Sequence, residues 1–427
     1  MRGATAPPIT GSGAPGARLS IEEMRAIVEA ALSDIPPGAR VLALIPDKTR
    51  DDNTDVLFPF AAQALAARGA GQFDALVAQG THPPMSYEEK RLKTGSGSAA
   101  VPGLGRIFDH RWDCAEELVT IGELSSGRCS ELTGGLIDRA IPLQVNRLLA
   151  PGLYDTVLIF GATVPHEVVG FAGGAKYFFP GVAGPELTHM THWLGALTTI
   201  EKVIGRIETP TRHLIEAASE FVAAQVISFN SVVTRDDQNE LRTHALFAGD
   251  LREAFRQAAE ISRRVHIRYT GRKYSRVVAL LDDHYDDMWV GGKASYKLGA
   301  IIEEGGELLI YAPHLRRISE THGRLIERFG YAPLETVAEM VTASTELMAN
   351  LCVAAHLAHV AYASRRDERG RVMPRYRITL ASAIDEATCR RVNLGYMDPK
   401  QFRREDYEGD PDTLVVERAG RDLYLVN

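Results

Sequence analysis

Residues 156–193, TVLIFGATVPHEVVGFAGGAKYFFPGVAGPELTHMTHW, decide how the chain reads. The run at 156–160 has the length and composition of a buried strand and stops at Gly161. His166, Lys176, His189 and His192 follow among glycine-rich turns. Gly170, Gly173, Gly174 and Gly181 rule out one continuous helix, so the backbone turns sharply or approaches another group closely, as a cofactor cradle would. The same pattern occurs twice upstream. Residues 41–45 end at Pro46-Asp47, and residues 73–78 end just before Gly80-Thr81-His82. Three apolar runs thus each deliver a polar group past a carboxyl end, where open parallel α/β sheets build binding crevices. Asp47, Arg50, His82 and His166 are predicted to share one.

The stretches between these runs have helical patterning. Ser20 precedes Ile21, Met24, Val28, Ala31 and Leu32 on one face, which predicts a capped helix. Residues 56–67, 86–93 and 250–264 read as further helices. After the polar connector Gly271-Arg272-Lys273 a second series begins, with strands expected at 277–281, 307–311 and near 378–380, and helices at 292–304 and through 315–360. The expected fold is α/β: two α/β domains with mainly parallel sheets and an interdomain active-site cleft. Residues 1–18 are expected to be a flexible tail, 19–270 an N-terminal domain carrying the cofactor site, and 271–427 a C-terminal domain contributing substrate contacts. The charged stretch 364–371 reads as a solvated loop. Residues 413–417 and 422–426 read as a hairpin turned by Gly420 that packs back on the N-terminal domain.

Composition narrows the class. The chain has 427 residues, 45% hydrophobic and 24% charged, with a net charge of −7. That balance offers no basic field for nucleic acid. Cys114, Cys129, Cys352 and Cys389 are dispersed, without metal-binding spacing, and are expected to be reduced thiols. No apolar run follows Arg2 and none has membrane-spanning length, so a cytoplasmic protein with no membrane partner is expected.

His82 and His166 each lie beside a proline that stiffens their placement. With pKa values ordinarily near 6.5, one imidazole can take a proton while another gives one. Lys176, in GGAKYFFPG, sits where desolvation would expose a nucleophilic amine. Neither a Walker loop nor a GxGxxG fingerprint is present. His189 and His192 would share a helix face within reach of one metal. Asp47 and Arg50, in PDKTRDDN, suit a ribose hydroxyl and a phosphate or carboxylate, although the same residues make an acceptable polar turn. Lys293, after Trp289-Val290-Gly291-Gly292, would suit a substrate carboxylate.

Together DKTR at 47–50, GTHPPM around His82 and PHEVVGFAGGAKYFFPGVAGPELTHMTH at 165–192 resemble the nickel-pincer nucleotide-dependent lactate racemase family. The resemblance runs through most of residues 40–200 and returns weakly near 285–312. It implies a 2-hydroxyacid racemase or epimerase, an isomerase working by proton-coupled hydride transfer. Lys176 matches the lysine that tethers the nickel-pincer nucleotide, and His192 the metal ligand, which leaves His189 structural. His82 and His166 match the acid/base pair. Asp47, Arg50, Gly173 and Gly174 match cofactor contacts, while Arg50, Lys293 and Trp289 fall on the substrate side. The implied partners are a small 2-hydroxy acid, transiently the cofactor-building enzymes, and a second copy of the chain in a homo-oligomer.

One departure bears on the substrate. Family members acting on lactate carry glutamine three residues before the second-domain lysine, where this chain has Val290. Loss of that hydrogen-bonding side chain leaves the substrate open to larger hydroxy acids, including sugar acids. Two other readings remain at this stage: a divalent-metal hydrolase using His189 and His192, and a non-catalytic ligand-binding homologue.

Overall fold

The computed structural model describes residues 6–97, 101–236 and 238–427. The chain divides into two compact units. The first comprises Met1–Val164, Val169–Thr188 and Ile207–Val265; the second comprises Pro165–Val168, His189–Arg206 and His266–Asn427.

The first unit is built on a seven-stranded sheet. Its strands are β1 (Thr10–Gly13), β2 (Arg40–Ile45), β3 (Gln72–Val77), β4 (Leu104–Asp109), β5 (Thr156–Ala162), β6 (Gln225–Arg235) and β7 (Leu241–Gly249), in the order β1-β7-β6-β5-β2-β3-β4. From β6 across to β4 the pairing is parallel. The other edge is antiparallel. Residues 41–45 and 156–162 are buried throughout, as parallel strands covered on both faces must be. Phe160 stacks on Phe229 at 4.8 Å and Phe58 on Phe73 at 5.0 Å, tying the helix Thr54–Ala67 to the sheet. Ser20 caps the helix Ile21–Ala31 in a reciprocal box with Glu23.

The second unit holds an all-parallel five-stranded sheet. It comprises β8 (Tyr274–Leu280), β9 (Ile302–Ala312), β10 (Arg377–Ser382), β11 (Gly395–Met397) and β12 (Thr413–Val416), in the order β11-β10-β9-β8-β12. The chain is therefore a mixed α/β protein with mainly parallel sheets.

Four local expectations are corrected. Residues 10–13 are an edge strand rather than tail, paired antiparallel with β7. A Cβ at Gly11 or Gly13 would stand under 3 Å from β7 atoms, and a run of such small residues carries no strand alternation to read. Residues 413–426 form no hairpin: β12 joins β8, while Leu423–Leu425 pairs in parallel with Ile267–Tyr269. The solvated loop at 364–371 is a short antiparallel hairpin, Ser364–Arg366 with Val372–Pro374, whose turn is held by Asp367. The helix expected at 292–304 ends earlier, at Leu298, because the long strand β9 starts at Ile302.

Candidate functional site

In the first unit the reactive residues lie just past β2 and β3. Asp47 is 3% exposed, and its Oδ2 stands 3.1 Å from His82 Nδ1. Its other oxygen accepts from the Thr49 amide at 2.7 Å and from the Thr49 hydroxyl. Burial alone would raise this carboxyl. The charge and hydrogen bond of His82, the Arg50 guanidinium and the Thr49 bond overcome that and hold it well below the usual carboxylate range. Gly80 makes the turn that delivers His82, with φ at +57°, and its amide donates to the Gly181 carbonyl at 2.9 Å. Gly181 in turn donates to the Lys176 carbonyl at 3.1 Å. The His82 turn and the Lys176 loop are thus bonded to each other. Tyr177 also feels the charges of Asp52, Arg50 and Asp47, which puts Lys176 in the same neighbourhood. Asp47, Arg50, His82 and Lys176 are gathered in this unit.

The glycine-rich loop is packed against protein. Gly173 has φ +102°, and a Cβ there would stand 2.7 Å from Thr163 Oγ1 and 3.0 Å from Asn230 Oδ1. At Gly174 it would meet Phe255 at 3.0 Å. Arg212, fully buried and lying 3.8 Å over the Phe255 ring, donates to the carbonyls of Gly173 and Phe171. These contacts give Gly173 and Gly174 a packing role where the sequence suggested cofactor contact. Lys176 is only half-buried, although Ala175 and Tyr177 on either side are buried.

The second unit gathers a different set. Pro165–Val168 places His166, whose Nδ1 accepts from the Val168 amide at 3.2 Å and stands 3.7 Å from Glu167 Oε2. Lys297, 3% exposed, donates to the Pro165 carbonyl at 2.6 Å and so holds this segment from behind. Burial would raise the Glu167 carboxyl, but His166, the Glu167 backbone amide, His359 and Lys293 together lower it far below its ordinary value. His359 is pushed down to about 4 by burial, with Glu167 and His192 as its charged neighbours. His166, His192, Lys293, Glu167 and His359 therefore form one electrostatic group. Trp289 lies between His322 at 4.4 Å and His356 at 4.3 Å, tilted to both rings, and the Tyr296 hydroxyl meets His356 Nδ1 at 2.7 Å. Val290 is buried, its amide donating to Asp287.

His189 differs from His192. Its Nδ1 accepts from the Cys352 amide at 3.4 Å, and burial followed by the charge of His192 lowers it to about 4. An imidazole that accepts at Nδ1 carries its proton on Nε2 and has no lone pair left for a metal. Among the described residues no group of three or more His, Cys, Asp or Glu is placed to hold a metal ion. A pincer nucleotide brings its own donors and needs no such group; taken separately, the first unit supplies a primary amine in Lys176 and the second an imidazole in His192. Glu167, His356 and His359 were missed in the sequence. The one signal was His356-x-x-His359, which repeats the spacing of His189-x-x-His192.

The first unit is thus a mainly parallel α/β sheet with a carboxylate-bonded imidazole just past one strand end and a lysine on a glycine-rich loop. A profile of the lactate racemase N-terminal domain matches residues 24–204. A crystal structure of a Thermotoga maritima protein, a Northeast Structural Genomics Consortium target, is 33% identical with a TM-score of 0.87, covering 96% of this chain and 99% of that one. The chain belongs to the lactate racemase-like family. The lactate racemase apoprotein from Thermoanaerobacterium thermosaccharolyticum shares the fold, with a TM-score of 0.69 at 17% identity over 94% of this chain and 92% of that one. No curated protein matches the chain. Among the described residues no helix is long and apolar enough to cross a membrane.

Proposed function

We propose that the protein inverts the second carbon of a 2-hydroxy acid, using a nickel-pincer nucleotide joined to Lys176. When bound, that group supplies the acceptor and donor of the hydride at the second carbon. The chain does the rest. Lys176 gives the attachment point and His192 one imidazole to the metal. His82, held by buried Asp47, takes the hydroxyl proton, and His166 serves as the second acid/base group. Arg50 and Lys293 are the cations for the carboxylate, since either can bind it without competing for the proton. Trp289 forms an aromatic wall, and Val290 offers no polar group in place of glutamine. These two features favour a substrate larger than lactate, of the sugar-acid class.

The observation that carries this reading is the Asp47–His82 pair at 3.1 Å, in the same unit as the Lys176 loop. The hydrolase alternative is disfavoured by the Cys352 amide on His189. The test is to produce the protein together with cofactor-building enzymes and measure its intact mass. The same preparation is then screened for loss of optical purity with chiral 2-hydroxy acids, sugar acids included. A covalent adduct on Lys176 with inversion is expected. Inversion by protein whose Lys176 is unmodified overturns the reading, and adduct without inversion of any acid points to the binding homologue.

A further inference from the structure

His82 and His166 are alike in sequence context, yet their Nδ1 atoms face opposite partners. His82 Nδ1 lies 3.1 Å from a carboxylate oxygen of Asp47, which only accepts. That nitrogen must carry a hydrogen, so in the neutral ring the lone pair is on Nε2. His166 Nδ1 lies 3.2 Å from the Val168 amide, which only donates. That nitrogen must be bare, so the hydrogen is on Nε2. Protonating His166 would not change what Nε2 presents. An imidazolium would turn its Nδ1 hydrogen toward Glu167, whose Oε2 is 3.7 Å away, and Nε2 would still carry a hydrogen.

We infer that these partners set the two rings to opposite tasks: Asp47 makes His82 a proton acceptor at Nε2, and the Val168 amide makes His166 a proton carrier there. Asp47 is thus a positioning residue for His82, where the sequence suggested a cofactor anchor. Its other oxygen is already committed to Thr49. The consequence for turnover rests on the racemase reading, whereas the tautomers do not. A substrate hydroxyl presented to His82 meets a base: the O–H bond breaks, its electron pair stays on oxygen, and an N–H bond forms at Nε2. A hydroxyl presented to His166 meets a donor, and that ring can accept at Nε2 only after its hydrogen has moved to Nδ1, which breaks the bond from the Val168 amide. The resting protein is therefore primed for one hand of the substrate. The two hands should differ in kcat, with compensating KM values because the overall equilibrium is fixed.

The test is nitrogen NMR of protein labelled at histidine, without cofactor, with His82→Gln and His166→Gln used to assign the signals. The wild type should show His82 protonated at Nδ1 and His166 at Nε2. Asp47→Asn is the decisive variant. Thr49 donates to one position of the side chain and keeps the amide oxygen there, so the new NH₂ group faces His82 Nδ1 and donates to it. The His82 hydrogen should then move to Nε2 while His166 stays as it was. In cofactor-loaded protein the same variant should still carry the Lys176 adduct but lose up to roughly 10⁴-fold in kcat, the loss seen when asparagine replaces the aspartate of a Ser–His–Asp triad. Identical tautomers for the two rings in the wild type overturn the inference, even if the variant does not fold. A His82 signal unmoved in a folded variant also overturns it. Opposite tautomers in a loaded protein that inverts no hydroxy acid would leave this assignment standing and remove the racemase reading instead.

Discussion

The two units assemble their reactive groups by different routes. In the first, Asp47, Arg50 and His82 follow directly on β2 and β3, and the Lys176 loop follows on β5 after one short excursion. In the second, the charged group is drawn from four separate places: the segment Pro165–Val168, the helix Pro185–Thr198, the helix Lys293–Leu298 and the helix Leu351–Ala361. A parallel strand puts whatever follows it at one edge of the sheet, so position in sequence becomes position in space. Helices from distant parts of the chain meet only through packing. Chemistry placed by strand ends is therefore local and rigid, and chemistry placed by helix packing depends on the whole unit being folded.

The largest expected effect lies in the first unit. Lys176→Met should abolish the covalent adduct and reduce inversion of any 2-hydroxy acid by at least about 10⁴-fold, because no other group on the loop can form the tether. The thermal midpoint of cofactor-free protein should hardly change, since the side chain is only half-buried. Intact mass and calorimetry check the two halves separately. Gly173→Ala should do the reverse. At φ +102°, with Thr163 Oγ1 at 2.7 Å from the added carbon, it should cost about 2–4 kcal/mol of stability in denaturant titration. If stability is unchanged and only the adduct is lost, Gly173 is a cofactor contact after all.

That contrast also marks what the sequence could show. β2 and β5 were legible because each holds an uninterrupted apolar run that stops at Pro46 or Gly161, and β3, interrupted by Asp74, because its run still ends just short of Gly80; the polar residue behind each run was legible with it. Glu167 was not, since it reads as an ordinary polar neighbour of His166 until Lys293 and His359 are brought beside it. His356 and His359 sit in LCVAAHLAHV, a helix buried on all sides, where histidine is indistinguishable from core filling until the partners are seen. The partner of Asp47 was hidden for a related reason: an aspartate after a strand suits a ribose as well as an imidazole, and the 3.1 Å contact with His82 is not visible in the sequence. The glycines at 173 and 174 signalled a tight turn correctly but could not say whether ligand or protein fills the space.

Acid should separate the units. His189 and His359 in the second unit are lowered to about 4 by burial, and His356 is lowered too; in the first unit burial lowers His110 to about 4. A histidine depressed on folding is neutral in the folded protein and takes up a proton more readily when unfolded. Its contribution is complete above the unfolded value near 6.5 and is lost as pH falls from there toward 4. At pH 5 each ring lowered to about 4 removes on the order of 2 kcal/mol. Asp47 and Glu167 have depressed carboxyls, so their contribution persists above about 4 and disappears only below it. Hydrogen exchange on cofactor-free protein at pH 7 and pH 5 should therefore show the second unit opening first. Equal loss of protection in both would mean that packing, not the buried rings, sets acid tolerance.

The smallest expected effect concerns substrate choice. Trp289 is held between His322 and His356 at ring distances of 4.4 and 4.3 Å, and His356 is fixed in turn by Tyr296. Its indole is therefore a rigid wall rather than a mobile side chain, and it precedes Val290, which has no polar group to offer. A flat aromatic face favours the C–H surface of an extended polyol over a methyl group, by contact area and not by any directional bond. Trp289→Leu keeps the site apolar but removes the flat face. It should shift the ratio of kcat/KM for a sugar acid over lactate by about tenfold toward lactate, with Lys176 adduct formation unaffected. Competition between the two substrates in one reaction measures that ratio directly. An unchanged ratio would place the discriminating contacts elsewhere, with Lys293, which opens the next helix, the next residue to vary.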